Sequence, residues 1–310
     1  MRVVVTGGAG FIGSSVVRTG LADARVEDVV VVDNFATGLR SSLDGLDLQV
    51  HEQTVLDLAA LTAVLLPGDA VVHLAARPSV PLSIANPFAT NEANVLGTLT
   101  VLEACRAAAV GNVVVASSSS VYGSNPTLPK REDAWLGPLS PYAVSKLATE
   151  TYAIAYQSSY QMSTVAFRFF NVYGPRQRAD GSYPAVIPAF IASLLRGEPP
   201  RIDGDGEQTR DFTYVENVAR ILVDAAVRRL TEPRPVNLAF GFRTSINQVL
   251  DMLQEISGSA VGRAHGEPRR GDIRDSHAFS ARLQELFPDV HHVPLREGLE
   301  RTFGWYRDRA

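Results

Sequence analysis

The chain has 310 residues, of which 45% are hydrophobic and 20% charged, which is the balance of a globular protein of about two domains. Its formal net charge of −4 argues against a nucleic-acid-binding surface. A single cysteine excludes an internal disulfide, so we expect a reducing, cytoplasmic location. The first apolar run, Val3–Val5, has the length of a strand rather than of a secretion signal, and no run is long enough to cross a membrane.

Short β-branched runs alternate with helical patterns through the first half of the chain. The predicted strands are Arg2–Thr6, Asp28–Val32, Ala70–Leu74, Asn112–Ser117 and Thr164–Arg168. The predicted helices between them include Ile12–Gly20, Pro87–Ala109 and Tyr142–Tyr160. Nearly continuous apolar strands that alternate with helices indicate a parallel sheet covered on both faces. Right-handed crossovers then give an α/β fold with a Rossmann-like, doubly wound parallel sheet.

The pattern changes after about Asn171, where proline and glycine become more frequent and the predicted elements become shorter. We therefore predict a first domain over residues 1–170, with a later segment at about 212–240 returning to it. Residues 171–211 and 241–310 are predicted to form a smaller C-terminal lobe, which is interwoven with the first domain along the chain.

A glycine-rich segment, Thr6–Gly13, follows the first predicted strand and opens the first predicted helix. It satisfies G-x-G-x-x-G and also a G-x-x-G-x-x-G variant that begins at Gly7. Such glycines let the backbone approach a pyrophosphate, and the helix N-terminus offers free N–H groups. Asp33 ends the second strand, where a carboxylate accepts hydrogen bonds from ribose hydroxyls and repels a 2′-phosphate. The context predicts NAD rather than NADP; the alternative is a glycine turn in a non-binding domain.

Tyr142 and Lys146 form a Tyr-x-x-x-Lys pair, whose spacing places both side chains on one helix face. The ammonium, together with a positive nicotinamide ring, is expected to lower the pKa of the phenol and make it a general base. The spacing alone also fits an ordinary exposed helix face. The hydroxyls of Ser117–Ser120 follow an apolar strand and are expected at the edge of the same site, where one of them can bond a substrate oxygen.

Together with Arg168–Arg176, these motifs resemble the extended short-chain dehydrogenase/reductase family. The likeness covers essentially the whole chain and is strongest to the UDP-glucose and UDP-N-acetylglucosamine 4-epimerase branch. It implies NAD as the cofactor, held by the first domain, and a nucleotide sugar, UDP-linked as in that branch, held by the smaller lobe. It also implies a homodimer, packed through helices such as Pro87–Ala109 and Tyr142–Tyr160, and no metal.

The resemblance assigns roles to individual residues of this chain. Tyr142 matches the catalytic base, Lys146 its partner on the nicotinamide ribose, and Ser118 the catalytic hydroxyl. Besides Tyr142 and Lys146, the implied cofactor contacts are Gly7, Gly10, Phe11, Ile12, Gly13, Asp33, Asn34, Asp57, Leu58, Leu74, Ala75, Ala76 and Asn94. Besides Tyr142 and Ser118, the implied substrate contacts are Ser79, Ser119, Asn171, Val186, Arg210, Arg269, Asp272 and Ser276. Two arginines among them suit a diphosphate, because guanidinium forks bind phosphate oxygens with charge assistance.

The two residues after Ser118 bear on the reaction. Related 4,6-dehydratases carry Asp-Glu at these places, and related decarboxylases carry Glu at the second. Here both places are serines, Ser119 and Ser120. A hydroxyl with an ordinary pKa cannot replace a carboxylate in proton transfer. The resemblance therefore favours epimerisation at the sugar C4 through a transient 4-keto intermediate.

The choice of sugar stays open between several substrates. Ser276 matches the position that lines the sugar C2 pocket, and its small side chain is expected to admit N-acetylhexosamines as well as hexoses. Arg178 matches a segment of UDP-glucuronate 4-epimerases and can meet a C6 carboxylate, although a solvated loop arginine fits equally well. A 4,6-dehydratase, a ketosugar reductase and a cofactor-sensing protein without catalysis are the competing interpretations.

Overall fold

The computed structural model describes residues 1–180, 184–267 and 274–309. The strands in chain order are β1 (Arg2–Thr6), β2 (Asp28–Asp33), β3 (Gln49–Glu52), β4 (Ala70–His73), β5 (Asn112–Ser118), β6 (Thr164–Phe169), β7 (Asn171–Tyr173), β8 (Arg201–Asp203), β9 (Thr209–Arg210), β10 (Phe212–Tyr214), β11 (Val236–Leu238), β12 (Thr244–Ser245) and β13 (Ala264–Gly266). The helices are α1 (Phe11–Ala22), α2 (Leu58–Val64), α3 (Val80–Ala85), α4 (Pro87–Asn91), α5 (Gly97–Ala107), α6 (Pro141–Tyr160), α7 (Val186–Leu195), α8 (Val215–Val227), α9 (Ile246–Ser257), α10 (Ala281–Leu286) and α11 (Leu295–Arg307).

A parallel sheet of seven strands has the order β11-β6-β5-β4-β1-β2-β3. The chain starts near the middle, at β1, and builds outwards in both directions, as in a doubly wound sheet. The predicted α/β fold is thus confirmed. Two strands of the sheet were not predicted. β3 lies at one edge and is mostly exposed, so it has no apolar run, and β11 is only three residues long.

The stretch Pro87–Ala109, predicted as one helix, is divided into two helices in the structure. It is helical from α4 to α5, but Glu92–Leu96 form a π-helical turn between them. The turn carries the buried Asn94, whose side chain bonds the backbone N–H and C=O of Arg77 at 2.7 and 3.3 Å. Apolar periodicity does not predict such a turn, nor the contact of Asn94 with Arg77, 17 residues earlier in the chain.

The chain forms two compact units that alternate along the sequence. The first unit comprises Met1–Asn125, Glu132–Phe169 and Val218–Leu238, and the second comprises Pro126–Arg131, Phe170–Asn217 and Ala239–Ala310. The first unit holds the seven-stranded sheet, with valines of β1, β2, β4 and β5 in its core beside leucines of α2 and α5. The core of the second unit is built from α7, α9 and α11 with β7, β8 and β10.

The short segment Pro126–Arg131 was not predicted as part of the second unit. Its Lys130 forms a backbone bridge with the chain around Ala278, through bonds to His277 and Phe279 of 2.8 and 2.9 Å. This long-range pairing has no local sequence signal. Among the described residues, no helix is long and apolar enough to cross a membrane, and no group of acidic, histidine or cysteine side chains could hold a metal.

Candidate active site

The glycine segment forms a tight turn between β1 and α1. Gly7 has a φ of +72°, and a Cβ there would lie 2.6 Å from the backbone nitrogen of Ala75. A Cβ on Gly13 would overlap the carbonyl oxygen of Gly7. The N-cap residue Gly10 offers no side-chain hydrogen bond to the first turn of α1. The first N–H groups of α1, at Phe11 and Ile12, are therefore suited to a phosphate.

Asp33 fixes the other side of this turn. Its buried carboxylate accepts hydrogen bonds from the backbone N–H of Ala9 at 2.9 Å and of Phe35 at 2.8 Å. Each carboxylate oxygen keeps a second lone pair for a ribose hydroxyl. The neighbouring Asn34 is exposed and accepts a hydrogen bond from Ala36 N–H at 3.1 Å. The turn and this carboxylate together fit an NAD molecule.

The other predicted cofactor residues lie at the carboxyl end of β4 and at the start of α2. Leu74, Ala75 and Ala76 follow β4 and are half-buried, with the Leu74 N–H bonded to Thr6 O at 3.0 Å. Asp57 caps α2 through Ala60 N–H at 3.0 Å, and Leu58 is the exposed first residue of that helix. Ser79, predicted on the substrate side, caps α3 through Leu82 N–H at 3.2 Å.

Replacing Gly13 with alanine should reduce the bound NAD content. The added methyl group overlaps the Gly7 carbonyl, so the turn must open and its N–H groups lose their common direction. NAD released on denaturation should fall by at least half relative to the wild type, and the melting temperature should fall too. Gly304→Ala is the matched control, because a Cβ at this position of α11 meets no atom within 4 Å. Equal NAD content in the two variants would refute the packing argument.

The three predicted catalytic residues meet at the carboxyl end of β5. Tyr142 and Lys146 are on α6, which Ser140 caps by accepting a hydrogen bond from Ala143 N–H at 3.1 Å. The Ser118 side chain is close enough to the Tyr142 phenol to act on its pKa, which it lowers. The buried Lys146 donates from Nζ to the Ala116 carbonyl at 2.8 Å. The phenol, the ammonium and the hydroxyl are thereby held together by adjacent elements of the first unit.

The expected effect of Lys146 on the phenol is not found. Burial raises the pKa of Tyr142 above its ordinary value, and only the hydrogen bond with Ser118 acts in the opposite direction. Burial also lowers the pKa of Lys146 to about 8. Lys146 is thus not among the groups that shift the pKa of Tyr142 here, and the joint effect of the ammonium and a bound nicotinamide ring stays a prediction. Desolvation disfavours both charged forms, and the ammonium is directed to the Ala116 carbonyl.

A buried ion pair lies beside this trio. Arg168 on β6 and Glu150 on α6 form two hydrogen bonds of 2.7 and 3.0 Å, and their side chains are 3% and 2% exposed. Ser117, next to Ser118, donates to Glu150 at 2.7 Å. Arg168 also donates to the Tyr122 hydroxyl at 2.9 Å, which in turn donates to Asn237 of β11 at 2.7 Å. The pair thus connects the end of β5 with α6, β6 and β11.

Two predicted substrate residues of the second unit share one acceptor. The Thr209 carbonyl accepts from Arg210 Nη1 at 2.9 Å and from Ser276 N–H at 3.1 Å. Arg210 is half-buried and Ser276 is buried. Asn171 begins β7, where its N–H bonds Asp211 O at 3.1 Å. Val186 is the half-buried first residue of α7, and the predicted Arg269 and Asp272 lie outside the described residues.

Asp211 is a buried carboxylate next to Arg210. Its Oδ2 accepts from the backbone N–H groups of Gly241 at 3.0 Å and Ala278 at 3.1 Å. Burial nevertheless raises the pKa of Asp211 to about 6, against the smaller effect of the backbone hydrogen bonds. The folded chain thus binds this proton more tightly than the unfolded chain, in which the pKa is near 3.8. Charged Asp211 costs the fold stability above pH 6, and the cost disappears as the pH falls towards the unfolded value.

Asp211→Asn should therefore change the pH dependence of stability. The free energy of unfolding of the variant, relative to the wild type, should increase by up to about 3 kcal/mol between roughly pH 4 and pH 7. Urea unfolding at several pH values measures this difference. Asp205→Asn is the control with the opposite sign, because hydrogen bonds to Glu207 N–H and Arg274 lower the pKa of that exposed carboxyl. If the free energies of unfolding of the wild type and Asp211→Asn changed with pH in parallel, the raised pKa of Asp211 would be contradicted.

Comparisons with known proteins place these features in one family. Residues 3–239 match the model of the NAD dependent epimerase/dehydratase family. The chain belongs to this family. It is 35% identical over 320 residues to UDP-glucose 4-epimerase of Mycolicibacterium smegmatis, with 100% of both chains covered. The resemblance predicted from the motifs is thereby confirmed.

Solved structures of epimerase/dehydratase family members are similar over the full length. UDP-N-acetylglucosamine 4-epimerase from Methanobrevibacter ruminantium M1, in complex with UDP-N-acetylmuramic acid, is 35% identical with a TM-score of 0.93, covering 100% of this chain and 99% of that one. The dTDP-glucose 4,6-dehydratase DesIV from Streptomyces venezuelae is 31% identical with a TM-score of 0.90, covering 99% and 97%. The same fold therefore supports both reactions, and particular side chains must distinguish them.

Two features of this epimerase/dehydratase chain were missed by sequence reasoning. The first is the ion pair of Arg168 with Glu150, although an arginine inside an apolar strand is a signal that a buried partner exists. The second is the pair of hydrogen bonds from Ser120 to Ser118, at 3.2 Å from the N–H and 2.9 Å from the hydroxyl. Four consecutive serines carry no signal that tells which of them bonds which.

Proposed function

We propose that this protein is an NAD-dependent 4-epimerase of a UDP-linked sugar. The observation that carries the proposal is the placement of Tyr142 and Lys146 on α6 beside the end of β5, where Ser118 is followed by hydroxyls rather than carboxylates at Ser119 and Ser120. The pair provides a base for one hydroxyl proton. The two serines leave the site without the extra acid and base that elimination of water requires. The family and the named relatives support the same reaction.

The chain's own residues have distinct tasks in this reaction. Tyr142 takes the proton from the sugar O4 and returns it at the end of the cycle. Ser118 donates a hydrogen bond to the phenol oxygen, which favours its charged form. The Gly7–Gly13 turn and Asp33 hold NAD, and Lys146 holds its nicotinamide ribose. When bound, NAD would supply the hydride acceptor for the sugar C4 and, once reduced, the hydride donor for the opposite face of the ring.

The substrate side belongs to the second unit in this proposal. Arg210 binds the diphosphate, because a planar guanidinium fork binds phosphate oxygens with charge assistance. Asn171 and Val186 contact the nucleotide. Arg269 and Asp272 are the other substrate-binding residues in this proposal.

Product analysis without added NAD tests the proposed reaction. The enzyme as purified should convert UDP-glucose into UDP-galactose, with the mass unchanged and with no external cofactor consumed. A product lighter by one water would identify a dehydratase. A requirement for stoichiometric NADH would identify a ketosugar reductase. Either result would refute epimerisation.

We further propose that UDP-N-acetylhexosamines are substrates. Ser276 carries this step, because the resemblance assigns it to the sugar C2 pocket, where a small side chain admits an N-acetyl group. The wild type should turn over UDP-N-acetylglucosamine, and Ser276→Tyr should lose that activity while it keeps UDP-glucose turnover. Wild-type turnover of UDP-glucose without any turnover of UDP-N-acetylglucosamine would refute the assignment.

A homodimer is the assembly that we propose. Large apolar side chains are exposed on α3, α4 and α6, among them Phe88 at 87%, Ile84 at 64% and Val144 at 53%. Such clusters mark interfaces. Light scattering should show that Phe88→Glu is a monomer and that Leu66→Glu, a matched exposed position after α2, stays a dimer. A wild-type monomer would refute the proposal.

A cytoplasmic location is also proposed. Cys105 is completely buried in the core of the first unit, where burial raises the pKa of its thiol. The fold thus uses this residue as a small apolar side chain and needs no oxidising compartment. Cell fractionation should recover the activity with a cytoplasmic marker, and recovery elsewhere would overturn this location.

A further inference from the structure

The hydroxyl of Ser118 is held by a neighbour that has no role in the reaction described above. Ser118 precedes a short 3-10 turn, Ser119–Tyr122, and its Oγ accepts from the backbone N–H of Ser120 at 3.2 Å. The Ser120 hydroxyl donates to the same Oγ at 2.9 Å. Ser118 therefore receives two hydrogen bonds from one residue.

The two hydrogen bonds from Ser120 use most of the hydrogen-bonding capacity of the Ser118 hydroxyl. A serine hydroxyl has one hydrogen to donate and two lone pairs. Ser120 occupies both lone pairs of Ser118, so only the hydrogen of Ser118 remains. The phenol of Tyr142 on α6 is the group near Ser118 whose pKa this hydroxyl lowers. The geometry makes Ser118 a donor towards the phenol oxygen.

We propose that Ser120 is a positioning residue that fixes Ser118 as a hydrogen-bond donor to Tyr142. This inference rests on the proposed function, in which Tyr142 is the base. A donor to the phenol oxygen stabilises the phenolate and so counteracts the burial of Tyr142. Without the Ser120 hydroxyl, one lone pair of Ser118 becomes free, and Ser118 can instead accept a hydrogen bond from the neutral phenol. That arrangement favours the protonated form of Tyr142.

The test uses Ser120→Ala, which removes the hydroxyl and keeps the backbone N–H. The acidic limb of the pH profile of kcat should move to higher pH, and kcat near neutrality should fall about tenfold, with KM nearly unchanged. Ser120→Thr restores a hydroxyl at the same carbon and should restore the profile. Ser124→Ala is the control, because this exposed hydroxyl donates to the Gly137 carbonyl at 3.4 Å, in the loop that follows the 3-10 turn.

A readout that needs no turnover separates this proposal from the proposed function. The tyrosinate absorbance of the NAD-loaded enzyme, taken as the difference from Tyr142→Phe, titrates the phenol itself. Its midpoint should be higher in Ser120→Ala than in the wild type, with equal melting temperatures. An unchanged midpoint and an unchanged kcat limb would overturn the positioning role. A shifted midpoint in an enzyme that epimerises no UDP-sugar would refute only the proposed function.

Discussion

Tyr142→Phe should lower kcat by roughly 100- to 10,000-fold, which is the usual contribution of a positioned proton acceptor. Phenylalanine keeps the ring and its packing but removes the hydroxyl, on whose pKa Ser118 acts. The proton of the sugar O4 then has no acceptor in the site. NAD is held by the Gly7–Gly13 turn and Asp33, so the NAD content of the variant should equal that of the wild type. Initial rates and NAD released on denaturation measure both quantities.

The control for this variant is Tyr160→Phe. Tyr160 ends the same helix and is 52% exposed, and its ring packs on Tyr156 and under the Arg106 guanidinium. Removing its hydroxyl should leave kcat within a factor of about two. A Tyr142→Phe enzyme with normal turnover would show that another group takes the proton. Loss of bound NAD in that variant would show that the phenol serves binding rather than proton transfer.

Arg168→Met should destabilise the first unit by about 3 to 5 kcal/mol, because it leaves the Glu150 carboxylate buried without its partner. Both side chains are at most 3% exposed, so water cannot replace the lost hydrogen bonds. The Ser117 hydroxyl, which donates to Glu150, loses its fixed position as well, and kcat should fall together with stability. Urea unfolding and initial rates at a temperature below the transition measure the two effects.

Two further variants test whether the burial of the ion pair causes the large loss of stability expected for Arg168→Met. Arg196→Met removes an ion pair with Glu198 whose side chains are 56% and 57% exposed, and it should cost less than about 1 kcal/mol. The double variant Arg168→Met with Glu150→Leu removes both buried charges and should recover part of the lost stability. Equal losses of unfolding free energy in Arg168→Met and Arg196→Met would contradict the role of burial.

The sheet could be predicted because most of its strands are continuous apolar runs. The strand β5, for example, has six buried residues in a row, from Asn112 to Ser117. The strand β3 could not be found in the same way, since an edge strand buries little and needs no apolar pattern. The alternation of chain segments between the two units could be predicted only from a change in composition. The segment that contains Lys130 could not be assigned in this way, because its backbone pairing is a long-range contact.

The candidate site was predictable where one element carries the signal. The spacing of Tyr142 and Lys146 describes one helix face, and both residues do lie on one helix, α6, while their catalytic roles stay predictions. The charge state of the phenol could not be read from spacing, since it depends on burial and on the acceptor that Lys146 finds at the Ala116 carbonyl. The bonds from Ser120 to Ser118 depend on the turn after β5, which four identical residues do not specify.

The most direct test of the account follows the hydrogen atom at the sugar C4. UDP-glucose that carries deuterium at C4 is incubated in ordinary water with the enzyme as purified. The account predicts UDP-galactose with the deuterium still at C4, because one carbon is oxidised and then reduced by the same hydride. Deuterium found at C6 of a dehydrated product, or lost to the solvent, would contradict it.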